Sequence, residues 1–180
     1  YHQYSFQLDY AVSGGGSGYS APTFTAKQFG SSYTPTLGTS LTTYWLDSGQ
    51  SWSVTNPLSG SGFNEQWISG QTVSSTVSSS SPATAGGTLT FTYQNQWKVT
   101  FSQTGVDSSA GSNTVLTVGL TPYAYDALPS GVYVDSGTTF SWTSTVSGGS
   151  GKQFVKTGGS GNSPISAAGT YSATYWTQYQ

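Results

Sequence analysis

Apolar and polar positions alternate with a period of two along most of the chain. His2, Tyr4, Phe6, Leu8, Tyr10 and Val12 share one parity while Gln3, Ser5, Gln7 and Asp9 take the other. Such alternation describes a strand with one face against a core. The same reading places strands near 3–12, 23–29, 41–46, 51–55, 63–68, 71–77, 88–103, 114–120, 132–134, 139–146, 152–157 and 170–179, separated by Gly, Pro, Asn and Ser clusters. No stretch carries a 3.6-residue period, so the expected fold is all-β, built as sandwiches.

The pattern also repeats. At an offset of 82, Ser81, Pro82, Gly87, Thr88, Thr92, Tyr93 and Gln96 recur as Ser163, Pro164, Gly169, Thr170, Thr174, Tyr175 and Gln178. At an offset of 88, Leu46-Asp47-Ser48-Gly49 faces Val134-Asp135-Ser136-Gly137, with Trp52 opposite Phe140. Two related β-sandwich domains of an Ig-like or pilin-like kind, 1–95 and 96–180, account for both matches. Leu89, Phe91, Tyr93, Trp97, Val99 and Phe101 keep one parity across the boundary, so a single long strand is expected to close the first domain and open the second.

The chain's two ends carry pieces of that junction. Gln3-Tyr4-Ser5-Phe6-Gln7-Leu8 matches Gln96-Trp97-Lys98-Val99-Thr100-Phe101, and Gln178-Tyr179 matches the start of the same block. A second molecule could therefore rebuild the joint. The donor of such a joint would be residues 1–12, through His2, Tyr4, Phe6, Leu8, Tyr10 and Val12. The acceptor side would draw on Tyr93, Trp97, Val99, Phe101, Tyr171, Tyr175 and Tyr179.

Composition narrows the function. Charged residues make up 6% of the chain, against about 25% in an ordinary soluble domain, and 33 Ser and 27 Thr fill much of the rest. Four Lys and no Arg cannot neutralise a run of phosphates, which excludes nucleic acid as a main partner. No apolar stretch is long enough for a membrane span, and no apolar opening segment with a basic flank is visible, so Tyr1 reads as a mature N-terminus. Cys and Met are both absent, which removes disulfides, thiolate metal sites and thiol catalysis. The expected location is extracellular, at the cell surface.

Candidate chemistry is sparse. A glycosidase needs two carboxylates around the scissile bond, whereas the chain has one Glu, Glu65, and Asp9, Asp47, Asp107, Asp126 and Asp135 in turn or strand-end contexts. A Ser-His-Asp arrangement would have to use His2, near a terminus. Asp47-Ser48-Gly49 and Asp135-Ser136-Gly137 read as turns. One His and scattered acids supply no dense metal-ligand set. No catalytic, cofactor or metal site is expected, and the chain is read as a non-enzyme. Trp45, Trp52, Trp67 and Trp142 could stack on sugars, which keeps a secreted carbohydrate-binding module, with a polysaccharide ligand, as the alternative.

Tyr1-His2-Gln3-Tyr4 and the aromatic or aliphatic-Asp-Ser-Gly turns at Asp47 and Asp135 resemble the β-sandwich repeats of archaeal secreted surface proteins. The chain also resembles the pilin-type subunits of crenarchaeal thread filaments. That resemblance implies a structural, adhesive subunit that polymerises head to tail by donor-strand complementation, with itself as partner. It departs from the heavily N-glycosylated surface proteins in one respect: none of Asn56, Asn64, Asn95, Asn113 and Asn162 opens an acceptor triplet, so any glycan would be O-linked.

Overall fold

In the computed structural model, which describes residues 1–179, strands supply nearly all regular structure. A 3₁₀ turn at Ser108–Ala110 is the one helical element among the described residues. The chain divides into two compact units, Tyr1–Asn95 and Gln96–Gln180.

The first unit contains β1 (Gln3–Ser13), β2 (Phe24–Gln28), β3 (Ser31–Tyr33), β4 (Thr42–Asp47), β5 (Ser51–Val54), β6 (Glu65–Ile68), β7 (Ser74–Thr76) and the start of β8 (Thr88–Thr104). One sheet runs β4-β1-β8, with β6 also paired to β8, and the other runs β3-β2-β5-β7. Phe6, Leu8, Phe91 and Tyr93 from the first sheet meet Phe24, Trp52 and Val54 from the second in a single core. Phe24 stacks on Trp52 at 5.6 Å between ring centroids, and Trp52 lies 6.0 Å from Phe91. This closure of two sheets over aromatic side chains is sandwich-like.

The second unit takes the rest of β8 and adds β9 (Leu116–Val118), β10 (Thr121–Tyr123), β11 (Val132–Asp135), β12 (Phe140–Trp142), β13 (Thr145–Ser147), β14 (Lys152–Ser160) and β15 (Gly169–Tyr179). Its larger sheet runs β13-β14-β15-β8 with β11 also on β8, and its smaller sheet is β10-β9-β12. Phe101, from β8, sits 5.3 Å from Phe140 and 5.6 Å from Tyr171.

Matched positions make matched bonds. β1 pairs parallel with β8 at Gln7↔Thr88, and β8 pairs parallel with β15 at Thr100↔Thr170. Gln3 faces Asp47 and donates to its carboxylate at 2.8 Å, while Gln96 faces Asp135 and donates at 2.7 Å. The Tyr93 hydroxyl donates to Thr55 O at 2.6 Å, and that of Tyr175 to Thr143 O at 2.8 Å. Burial pushes both phenols up to about 12. In each unit this hydroxyl satisfies a carbonyl just where a strand leaves its sheet. Tyr93→Phe and Tyr175→Phe should each cost about 1–3 kcal/mol, read as a lowered urea midpoint, while Tyr179→Phe, on an exposed ring, should leave the midpoint unmoved.

Where the strands differ from the sequence reading, side-chain and sheet geometry explain the difference. The expected strand 139–146 is two strands, because β12 pairs with β9 while β13 pairs with β14: the chain changes sheets at Thr143, whose N–H donates to Val115 O. Strands β3 and β10 follow two-residue turns, Phe29-Gly30 and Gly119-Leu120, whose first residues the expected strands 23–29 and 114–120 absorb. Near 71 the backbone is not extended into β7, and the Gln71 side chain pairs with the β8 edge instead, accepting from Thr92 N at 2.6 Å and donating to Thr90 O at 3.1 Å.

Candidate functional site: the first strand and the junction strand

β1 owes its form to its alternation. The odd residues Gln3, Ser5, Gln7 and Asp9 are polar; Thr43, Thr88 and Thr90 stand across from them, and Trp45, opposite Ser5, is half exposed. The even residues turn inward: Phe6 and Leu8 are fully buried, Tyr4, Tyr10 and Val12 pack at the margin of the core, and His2 stays exposed with its ring 4.7 Å from Tyr4. Both edges are paired, antiparallel to β4 from Gln3↔Asp47 to Leu8↔Thr42 and parallel to β8 from Gln7↔Thr88 to Ser13↔Gln94. The strand thus lies inside its own sheet.

Asp47 fastens the start of β1. Its carboxylate accepts from Gln3 Nε2 at 2.8 Å, from Phe29 N at 2.9 Å and from Gly30 N at 2.6 Å. Next to it, Ser48 N donates to His2 O at 2.8 Å. Burial raises the Asp47 carboxyl, but the bonds from the Gly30 amide, the Gln3 side chain and the Phe29 amide outweigh it and hold the group below the usual carboxylate range. Asp-Ser-Gly does form a turn here, with Gly49 at φ +75°, yet the Asp of that turn also binds two other segments, which spacing alone does not reveal.

The remaining junction residues separate into different surroundings. Tyr93 stands in the first unit's core, 6.5 Å from Tyr10. Trp97, Val99, Phe101 and Tyr171 belong to one cluster of the second unit, and Tyr175 to another. Tyr179 lies outside both and is 77% exposed. The β8 segments beside Tyr93 and Phe101 are already paired, with β1 and β15 respectively. Any donated strand must therefore replace one that is present.

The other candidates are dispersed. Trp52 and Trp67 are core, Trp142 is half-buried, and of the four proposed stacking rings only Trp45 shows a broad face to solvent. Trp67 Nε1 donates to Gly15 O at 3.1 Å and so ties down the Gly-rich run 14–18. Glu65 accepts from Asn95 Nδ2 at 2.8 Å. Lys152 pairs with Asp107 at 2.7 Å. The Lys152 bond, with the hydroxyl and amide of Ser109, draws the exposed Asp107 carboxyl down to about 2. Among the described residues no three His, Cys, Asp or Glu side chains gather as a metal site, and no helix is long and apolar enough to cross a membrane. No family model, curated protein or solved structure matches the chain.

Proposed function

We propose that the chain is a structural subunit of an extracellular, cell-surface filament, a pilus or thread with a role in adhesion or cell-cell contact. In this reading each subunit consists of two Ig-like sandwich domains and joins the next, head to tail, by donating β1. The observation that carries it is the position of β1, a strand near the N-terminus that fills the middle of a sheet, with Phe6 and Leu8 as its plugs. The second unit supports it, since there the matching strand position is filled by residues 97–104, which continue directly from the first unit's closing strand.

Donation is then an exchange. A neighbour's β1 makes the contacts that the chain's own β1 makes, so contact energies nearly cancel. The balance between closed subunits and polymers is set by concentration against the effective concentration of the tethered strand, in the mM range for short flexible tethers. The segment between β1 and β2, residues 14–23, is the tether, and it would have to release the bond from Trp67 Nε1 to Gly15 O in order to swing.

Removing residues 1–12 tests the reading. The second unit should keep its β signal by circular dichroism, polymers should be abolished in negative-stain images and light scattering, and the edges of β4 and β8 left open should make the truncated protein aggregate. A synthetic peptide of residues 1–13 should bind the truncated protein and suppress that aggregation. Regular filaments from the truncated protein would overturn donation by β1.

A further inference from the structure

Ionisable groups are rare in this chain, yet several of them meet in one place. A cavity of about 350 Å³ at the start of β1 is lined by Tyr1, His2, Lys27, Gly30, Asp47, Ser48 and Gln50. It holds the only His, one of four Lys and one of six acids. Asp47 is the only anion among the lining residues. Its carboxylate joins three segments: β1 through Gln3, the β2–β3 turn through the amides of Phe29 and Gly30, and β4, which carries it.

The second unit shows what this arrangement adds. Asp135 accepts from Gln96 as Asp47 accepts from Gln3, but Asp135 is exposed, and the first amide of the corresponding turn, Gly119 N, donates to Thr139 O at 2.7 Å. The Asp-Gln pair is common to both units. The additional amides belong to the first unit, whose opening strand is the one proposed to exchange.

We propose that Asp47 is a proton-operated latch on β1: ionised, it fastens the strand's first residues, and protonated, it frees them. A protonated carboxyl is itself a donor and a poorer acceptor than a carboxylate, so the charge-assisted bonds from the three donors that converge on it are weakened together. The direction in pH follows from the depressed Asp47 carboxyl. Its contribution is complete above the unfolded-state value near pH 4 and is lost as pH falls through the lower folded-state value.

The consequence for assembly, faster strand exchange in acid, rests on the filament reading; the latch itself does not. Amide hydrogen exchange, corrected for intrinsic rates, measures it directly. Protection at residues 3–8 of β1 is compared with protection at residues 52 and 54 of β5, a strand of the same unit that does not pair with β1, at about pH 5 and about pH 2. The ratio should fall roughly tenfold on acidification. Asp47→Asn should show the acid ratio at both pH values. Gln3→Ala, which removes one of the three donors, should lower the ratio at about pH 5 and flatten its pH dependence, and it carries the test with the wild type should Asp47→Asn fail to fold.

A ratio that does not change with pH in the wild type overturns the latch, as does wild-type protection in Asp47→Asn. Opening of β1 in acid without polymers supports the latch and overturns the filament reading.

Discussion

Phe6→Asp should cost the first unit more than about 4 kcal/mol, whereas Gln7→Asp, one residue along the same strand, should change stability by no more than about 0.5 kcal/mol. Phe6 is fully buried between β4 and β8 and faces the Trp52 and Phe91 core, so a carboxylate there has neither water nor a partner. Gln7 lies on the opposite face, exposed, opposite Thr43 and Thr88. Thermal melts followed by near-ultraviolet circular dichroism check the difference, since the first unit's aromatic signal should vanish in Phe6→Asp and persist in Gln7→Asp. The same pair should separate in assembly, with filaments lost in the first and kept in the second. Equal behaviour of the two variants would mean that β1 is not a one-sided strand in either setting.

Gly105→Ala should destabilise the second unit by about 2–6 kcal/mol, combining about 1–3 kcal/mol of backbone strain with about 1–3 kcal/mol of overpacking. Gly105 follows the last residue of β8 at φ +101°, and a Cβ there would run into the carbonyl oxygen of Tyr175 on β15. Neither of these backbones can move without breaking the parallel pairing between the two strands, which ends at Ala173↔Gln103 and Thr174↔Thr104. Gly49→Ala is the control. It sits at φ +75° with open space around its Cβ position, so it bears only the strain, about 1–2 kcal/mol. Urea unfolding of both variants separates the two costs, and similar losses in the two would show that the Tyr175 carbonyl yields to the methyl group.

Alternation made the strands legible because a strand with one wet face must repeat every two residues. The 88–103 run reads directly as one long strand, and β1 reads with the correct inward face, from Phe6 and Leu8. The signal failed where the cause was not local. The turn at Phe29-Gly30 places a bulky residue at φ +52°, a conformation that composition argues against and that the bond from Phe29 N to Asp47 supports. The break at Thr143-Ser144 follows from which sheet each half finds, and Gln71 takes a strand's place with its side chain. The four Trp residues considered as stacking rings look alike in sequence, yet burial separates Trp52 and Trp67 from the solvent-facing Trp45 because only packing decides which rings face inward.

The amino-acid sequence by itself determined an all-β chain of low charge, the inward face of its first strand and the matched segments that recur at offsets of 82 and 88, because period, composition and spacing are properties of the chain alone. Tertiary structure decided the rest. It set β1 between β4 and β8 instead of leaving it free, so that any donation becomes an exchange. It also brought Gln3, Phe29, Gly30 and Asp47, separated by up to 44 residues, onto one carboxylate. Those bonds depend on which edges meet and in which register, and pairing between distant segments is settled only when the whole sheet forms.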